Sequence, residues 1–273
     1  MRFLNTRFIG TVSSLFLGVT AVTAAEIIAH RGASYDAPEN TQAAMKLAWE
    51  QEADAIETDM WLSRDGKIVV LHDADTKRLG GTTNRVAQQT WTELQKVDVG
   101  AWKDPRFAGE RIPGIESILK TVPKGRRAIL EIKCGAEILP ELERVIGESG
   151  RTPEELAIIS FKFPVLKESK KRFPRIGHYY LYSYKKDPET QRFPTLAPLI
   201  EDAKSAGLDG LDLHFDWPID KAFVARVKEA GLKLLVWTIN DPVVAGRMIE
   251  AGVDGLTTDR PGWLREQLKG ASK

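Results

Sequence analysis

The sequence predicts an α/β chain: a closed (β/α)8 (TIM) barrel with a small insertion after its second strand. Three observations support that expectation. Short apolar runs alternate with helical ones from Glu26 to Thr258, as the βα units of a parallel sheet require. Three helical runs stop at Ala206-Gly207, Ala230-Gly231 and Ala251-Gly252, where glycine is the expected residue just past a helix end. Imidazole and carboxylate groups fall at the ends of the strand-like runs, which a barrel gathers on one face. An open doubly wound sheet is the structural alternative, but His30-Arg31-Gly32-Ala33 lacks the glycine spacing of a phosphate loop.

Residues 1–25 read as an export segment. Arg2 and Arg7 supply positive charge, Phe8 to Val22 an apolar stretch, and Thr23-Ala24-Ala25 the small residues at which cleavage is expected, after Ala24 or Ala25. Thr11, Ser13, Ser14 and Thr20 interrupt an apolar run already short of the roughly 18 residues that span a membrane. The expectation is a periplasmic or secreted protein without a stable membrane anchor, with residues 26–273 forming the barrel.

The elements follow in order. Residues 26–29 form a short strand ending at His30. Asn40 is expected to cap a helix running to about Glu52, with Ala44, Leu47 and Ala48 on one face. Residues 53–62 and 67–72 read as strands about a Ser63-Arg64-Asp65-Gly66 turn. Residues 74–112 break the rhythm, and a connection of that length is usually functional or a small subdomain. It is expected to lean over the barrel mouth, with Trp91, Trp102 and Phe107 covering a bound alcohol group. Later strands end at Glu131-Ile132-Lys133, Ile159-Ser160-Phe161, Tyr179-Tyr180-Leu181, Asp212-Leu213-His214, Val236-Trp237-Thr238 and Leu256-Thr257-Thr258. Helices are expected over roughly 137–149, 164–172, 195–206, 220–230 and 242–251.

Charge narrows the function. Loss of Arg2 and Arg7 would take 39 basic residues to 37 against 38 acidic ones, a near-neutral chain with no electrostatic footprint for nucleic acid or an acidic membrane. The run Lys170-Lys171-Arg172 reads as a solvated helix end. Cys134 is the only cysteine, so no intramolecular disulfide can form.

Alternation along strands then assembles a site. Side chains at i and i+2 share one side of a strand, so Glu57 with Asp59, Glu131 with Lys133, and Asp212 with His214 point inward together. Ile56 and Met60 alternate with the first pair and need burial of their own. Placing so many charges in a bore without function would cost several kcal/mol per unpaired ion. Carboxylates on one side of a strand can share a cation, and His30 and His72 can move protons near neutral pH. That combination suits hydrolysis of a phosphate diester. Cys134 points away from the Glu131/Lys133 face and is expected to be buried and inert. His178 has no evident partner, and His214 is expected at the mouth rather than on a metal.

The segments His30-Arg31-Gly32, Pro38-Glu39-Asn40-Thr41, Glu57-x-Asp59, His72-Asp73, Glu131-Ile-Lys133, Trp237-Thr238-x-Asn240 and Gly252-Val-Asp254-Gly255-x-x-Thr258-Asp259-x-Pro261 run in one order along the chain. Together they resemble the glycerophosphodiester phosphodiesterases. The resemblance implies a barrel that cleaves a small-molecule glycerophosphodiester to glycerol 3-phosphate and an alcohol. It implies Glu57, Asp59 and Glu131 as ligands of a divalent cation, Mg²⁺ or Ca²⁺ for so hard an oxygen set, and His30 and His72 as the acid/base pair. Arg31 and Lys133 would then hold the phosphate, and Trp237 would pack on the glycerol carbons. Glu39 and Asn40 would support His30, Arg31 and the helix start. The nucleophile is water or the glycerol 2-hydroxyl. Rival readings are a phospholipase D-like barrel acting on lysophospholipid or sphingolipid, a wall-teichoic-acid phosphodiesterase, and an exported binding protein with a degenerate site.

Overall fold

The computed structural model describes residues 25–271; apart from Ala25, the expected export segment lies outside them. Eight strands run parallel around a barrel: β1 (Glu26–Ala29), β2 (Ala55–Leu62), β4 (Arg127–Ile132), β5 (Leu156–Ser160), β6 (Gly177–Tyr182), β7 (Gly210–His214), β8 (Lys233–Trp237) and β9 (Gly255–Thr258). β1 closes the ring by pairing with both β2 and β9, so that Ile28 lies opposite Ala55 on one side and Thr257 on the other. The short β3 (Ile68–Val70) folds back antiparallel on the end of β2, through the expected Ser63–Gly66 turn.

Alternation decides which residues fill the bore. Ile28, Ala55, Ile129, Ala157, Ile159, Tyr179, Leu181 and Leu235 pack inside the barrel. Ile56, Met60, Leu130, Ile132, Ile158, Leu211, Leu213, Leu234 and Val236 face the helices in the outer core. Along β2 the outward Ile56 and Met60 leave Glu57 and Asp59 on the inner side, as the period of two requires. Cys134 belongs to the outer layer, where burial pushes its thiol up to about 11.

The helices fall close to expectation: Leu139–Ser149, Phe163–Arg172, Leu196–Ser205, Lys221–Glu229 and Pro242–Ala251. Gly252, at φ +95°, ends the last of these in the left-handed conformation. A further helix, Pro261–Ala271, was not anticipated. The helix after β1 covers Gln42–Glu50, and its cap is Thr41 rather than Asn40. The Thr41 hydroxyl accepts from the Ala44 amide at 3.2 Å. Asn40 sits at φ +59° with its side chain turned into the barrel.

The segment 74–112 forms short helical turns around a small core of its own, in which Leu79, Val86, Leu94, Val99 and Ile112 pack with Val69 and Leu71. It leans on the β1 loop: Lys103 Nζ donates to the Ser34 carbonyl at 2.8 Å and Arg106 to the Asp36 carbonyl at 3.2 Å. Its aromatics do not cover the mouth. Trp91 packs on the segment's own core, the Trp102 indole donates to the Val99 carbonyl, and the Phe107 ring lies under Arg106.

Candidate active site

Three buried carboxylates meet at the C-terminal end of β2 and β4. Strand register sets Asp59 beside Glu131, and Glu57, Asp59 and Glu131 each offer an oxygen within 4.8 Å of the others. Two cations stand against them. Lys133 Nζ lies 2.9 Å from Glu131 and 3.3 Å from Asp59; Arg31 Nε lies 3.4 Å from Asp59. Arg31 is delivered by a tight loop in which it adopts φ +58° and Gly32 φ +82°; a Cβ on Gly32 would strike the Ala44 backbone at 2.6 Å. The Arg31 amide donates to Glu57 at 3.0 Å.

Each expected acid/base histidine has its own carboxylate. His30 Nδ1 is 2.6 Å from Asp259, which also accepts from Ser34 at 3.0 Å and from Asn240 at 2.6 Å. His72 Nδ1 is 2.7 Å from Asp73, which accepts from Arg78 Nε at 2.6 Å. With Nδ1 so engaged, Nε2 is the nitrogen left for a ligand in both rings. Arg78 reaches on to Glu39 through two bonds of 2.8 Å, and Glu39 accepts from Arg31 at 2.9 Å. His72, Asp73, Arg78, Glu39 and Arg31 thus form one chain of contacts running to the carboxylate cluster.

His30, Arg31, Glu57, His72, Glu131 and Lys133 line one side of a cavity of about 230 Å³. Phe161, Leu181, Lys185, Asp212 and Trp237 are among its other lining residues. None of Trp91, Trp102 and Phe107 is among its walls.

The model of the Glycerophosphoryl diester phosphodiesterase family matches residues 30–263. The chain belongs to this family. It is 34% identical over 241 residues to a glycerophosphodiester phosphodiesterase of Caldanaerobacter subterraneus, covering 86% of this chain and 94% of that one. A glycerophosphodiester phosphodiesterase of Bacillus subtilis is 26% identical, with 89% and 86% covered. Among solved structures, a phosphodiesterase of Oleispira antarctica in complex with the product sn-glycerol-3-phosphate superposes with a TM-score of 0.80 at 28% identity, covering 90% of this chain and 97% of that one.

The acidic cluster of this family member suits a divalent cation on its own chemistry. Glu57 Oε1 is buried with no hydrogen-bond partner. Burial, with Asp59 and Glu131 beside it, pushes the Glu57 carboxyl well above its ordinary value. Burial and Asp59 push Glu131 up to about 8. Burial also raises Asp59, but Lys133, Arg31 and His72 outweigh it and hold that carboxyl at about 2. Lys133 and Arg31 alone therefore leave two of the three acids short of positive charge, and the donors are all oxygen, as Mg²⁺ or Ca²⁺ prefers.

The supporting residues differ from expectation. Glu39 holds Arg31, and the Asn40 backbone amide donates to the Arg31 carbonyl at 2.9 Å, but the Asn40 side chain reaches neither His30 nor the helix start. It donates to Asp59 at 2.7 Å and accepts from the Thr58 hydroxyl and the Asp59 amide. Trp237 stands at the cavity with its indole N–H bonded to the Asp212 carbonyl at 3.1 Å. His214 stacks with Phe215 and meets Trp237 edge-on at the rim, apart from the carboxylates. His178 is buried in β6, bonded to Ser169 and the Ile176 carbonyl, and burial depresses it to about 4. Sequence reasoning assigned no role to Asp259, Asn240, Asp73 or Arg78. Asp73 adjoins His72 and could have been found; the partnership of Asp259 with His30 has no local signal.

Proposed function

We propose that the protein hydrolyses glycerophosphodiesters to glycerol 3-phosphate and an alcohol, with His30 and His72 as the proton-transfer pair. The observation that carries this reading is the facing of two carboxylate-oriented imidazoles on one cavity with a buried three-carboxylate cluster. A divalent cation bound by Glu57, Asp59 and Glu131 would supply Lewis acidity towards the phosphoryl oxygens. Arg31 and Lys133 pair with the charge that builds on those oxygens. One imidazole takes, through Nε2, the proton of the attacking water or glycerol 2-hydroxyl as its oxygen bonds to phosphorus. The other gives its proton to the alkoxide that leaves as the phosphorus–oxygen bond to the alcohol breaks. Where the 2-hydroxyl attacks, water then opens the cyclic phosphate to glycerol 3-phosphate. Asp259 and Asp73 hold the rings in register and stabilise whichever is protonated. The likeness to an enzyme holding the product sn-glycerol-3-phosphate supports this choice of product, and the expected export segment would place the activity outside the cytoplasm.

The test is release of glycerol 3-phosphate from glycerophosphocholine by purified protein. Activity should vanish after exhaustive dialysis against EDTA and return with Mg²⁺ or Ca²⁺. Full activity in protein shown by elemental analysis to be metal-free would refute the metal assignment, and no turnover of any glycerophosphodiester would refute the activity.

A further inference from the structure

One carboxyl in the bore has no part in the arrangement above. Asp212 lies on β7, four strands from β2 in either direction around the ring, and so directly across the barrel from Glu57 and Asp59. It is 3% exposed, it lines the cavity, and its Oδ1 is buried without a hydrogen-bond partner. Its neighbours in register are Leu181 on β6 and Leu235 on β8, both apolar. No ion pair reaches it among the described residues. A carboxyl in such a place weakens the fold, since a buried polar group without a partner is costly and a leucine there would not be. Such a carboxyl calls for a polar partner that the described residues do not supply.

Resting on the activity proposed above, we propose that Asp212 sets specificity by binding the terminal hydroxyl of the substrate's glycerol, the one farthest from the phosphate. The phosphate belongs beside Arg31 and Lys133, so the part of the substrate that spans the bore arrives at β7. Ile159, Leu181 and Thr257 line the cavity with Asp212, and Ile159 and Leu181 belong to the packed bore, so this is the side where a small group fits best. Glycerol is the small, constant part of these diesters, whereas the alcohol varies in size and must leave to solvent. Trp237, tied to the Asp212 backbone, offers a flat face to the carbon chain. Burial pushes the Asp212 carboxyl up to about 8, with no neighbouring charge contributing. A neutral carboxyl donates through one oxygen and accepts through the other, which matches a hydroxyl.

The test compares glycerophosphocholine with the matching diester of propane-1,2-diol, which lacks only the terminal hydroxyl. Steady-state kinetics are measured on the metal-loaded wild type, Asp212→Asn and Asp212→Leu. The wild type should prefer the glycerol compound, and the ratio of the two kcat/KM values should collapse by about a hundredfold in Asp212→Leu, because a site built to bond a hydroxyl discriminates strongly against its loss. Asp212→Asn, which still donates and accepts, should keep most of the preference. Asp212→Leu without ligand should also melt above the wild type, as removal of an unpartnered carboxyl predicts. An unchanged ratio in Asp212→Leu, or a lower Tm in both variants, overturns the proposal. If the wild type cleaves neither diester, the activity itself fails and binding decides for Asp212. Glycerol 3-phosphate should still bind the wild type more tightly than propane-1,2-diol phosphate and lose that advantage in Asp212→Leu; equal binding in the wild type overturns the assignment.

Discussion

Asn240 grips Asp259 with the same three hydrogen bonds by which Asn40 grips Asp59. In each case the side-chain amide donates to the aspartate, at 2.6 and 2.7 Å, while its carbonyl oxygen accepts from the aspartate's own amide and from the hydroxyl of the preceding threonine, Thr258 or Thr58. The two clamps stand at the ends of β9 and β2, on either side of β1. One fixes an expected metal ligand and the other the partner of His30.

Loosening the second clamp should therefore impair proton transfer without emptying the metal site. Asn240→Ala should lower kcat about tenfold or more and leave bound metal unchanged, whereas Asn40→Ala should weaken metal binding about tenfold or more, as loss of a group that orients a ligand does. Elemental analysis beside steady-state kinetics separates the two. Equal metal loss in both variants would show that the clamps are not independent.

The histidines themselves should matter more. His30→Ala and His72→Ala are each expected to lose at least about a hundredfold in kcat while keeping the wild-type circular dichroism spectrum. A folded variant with near-normal turnover would remove that residue from the proton-transfer pair.

Choice of alcohol should follow the mouth rather than the insertion. Phe161→Ala or Lys185→Ala should change the ranking of glycerophosphocholine, glycerophosphoethanolamine and glycerophosphoinositol by kcat/KM. Trp91→Ala, Trp102→Ala and Phe107→Ala should leave it within about threefold, since none of these rings lines the cavity. The opposite pattern would return substrate choice to residues 74–112.

His178 should make stability depend on pH. Its folded value of about 4 lies below the ordinary value of 6.5, so between those limits the unfolded chain binds the extra proton. Stability is full above about pH 6.5 and falls as pH drops towards 4, by about 3 kcal/mol from this group. Urea titrations from pH 7 to 4 should show a shallower decline for His178→Gln than for the wild type. Parallel declines would mean that His178 does not contribute the slope.

The parts of the site legible in the sequence are those fixed by local alternation. Glu57 with Asp59, and Glu131 with Lys133, had to share a face once Ile56, Met60 and Ile132 were buried outside the barrel. Asn40 and Thr41 are both good helix caps, and only the pull of Asp59 on the Asn40 amide decides between them. The insertion's aromatics were misplaced because a count of rings does not say which side they face, and here its own small core takes Trp91. His30 and Asp259 are 229 positions apart and meet only through the pairing of β1 with β9. Asp212 was visible at a strand end, but that it lacks a partner among the described residues could be seen only once Leu181 and Leu235 stood beside it.

The pairing of β1 with β9 gives the enzyme a built-in order of assembly. The three acidic residues, Arg31, Lys133 and both imidazoles all lie between residues 30 and 133, in the first half of the chain. The carboxylate that orients His30 arrives only at residue 259, with the strand that seals the ring. If His30 acts as proposed, a chain emerging from the ribosome would carry its reactive groups long before the carboxylate that orients this imidazole is in place, and the site would be complete only when the final strand docks.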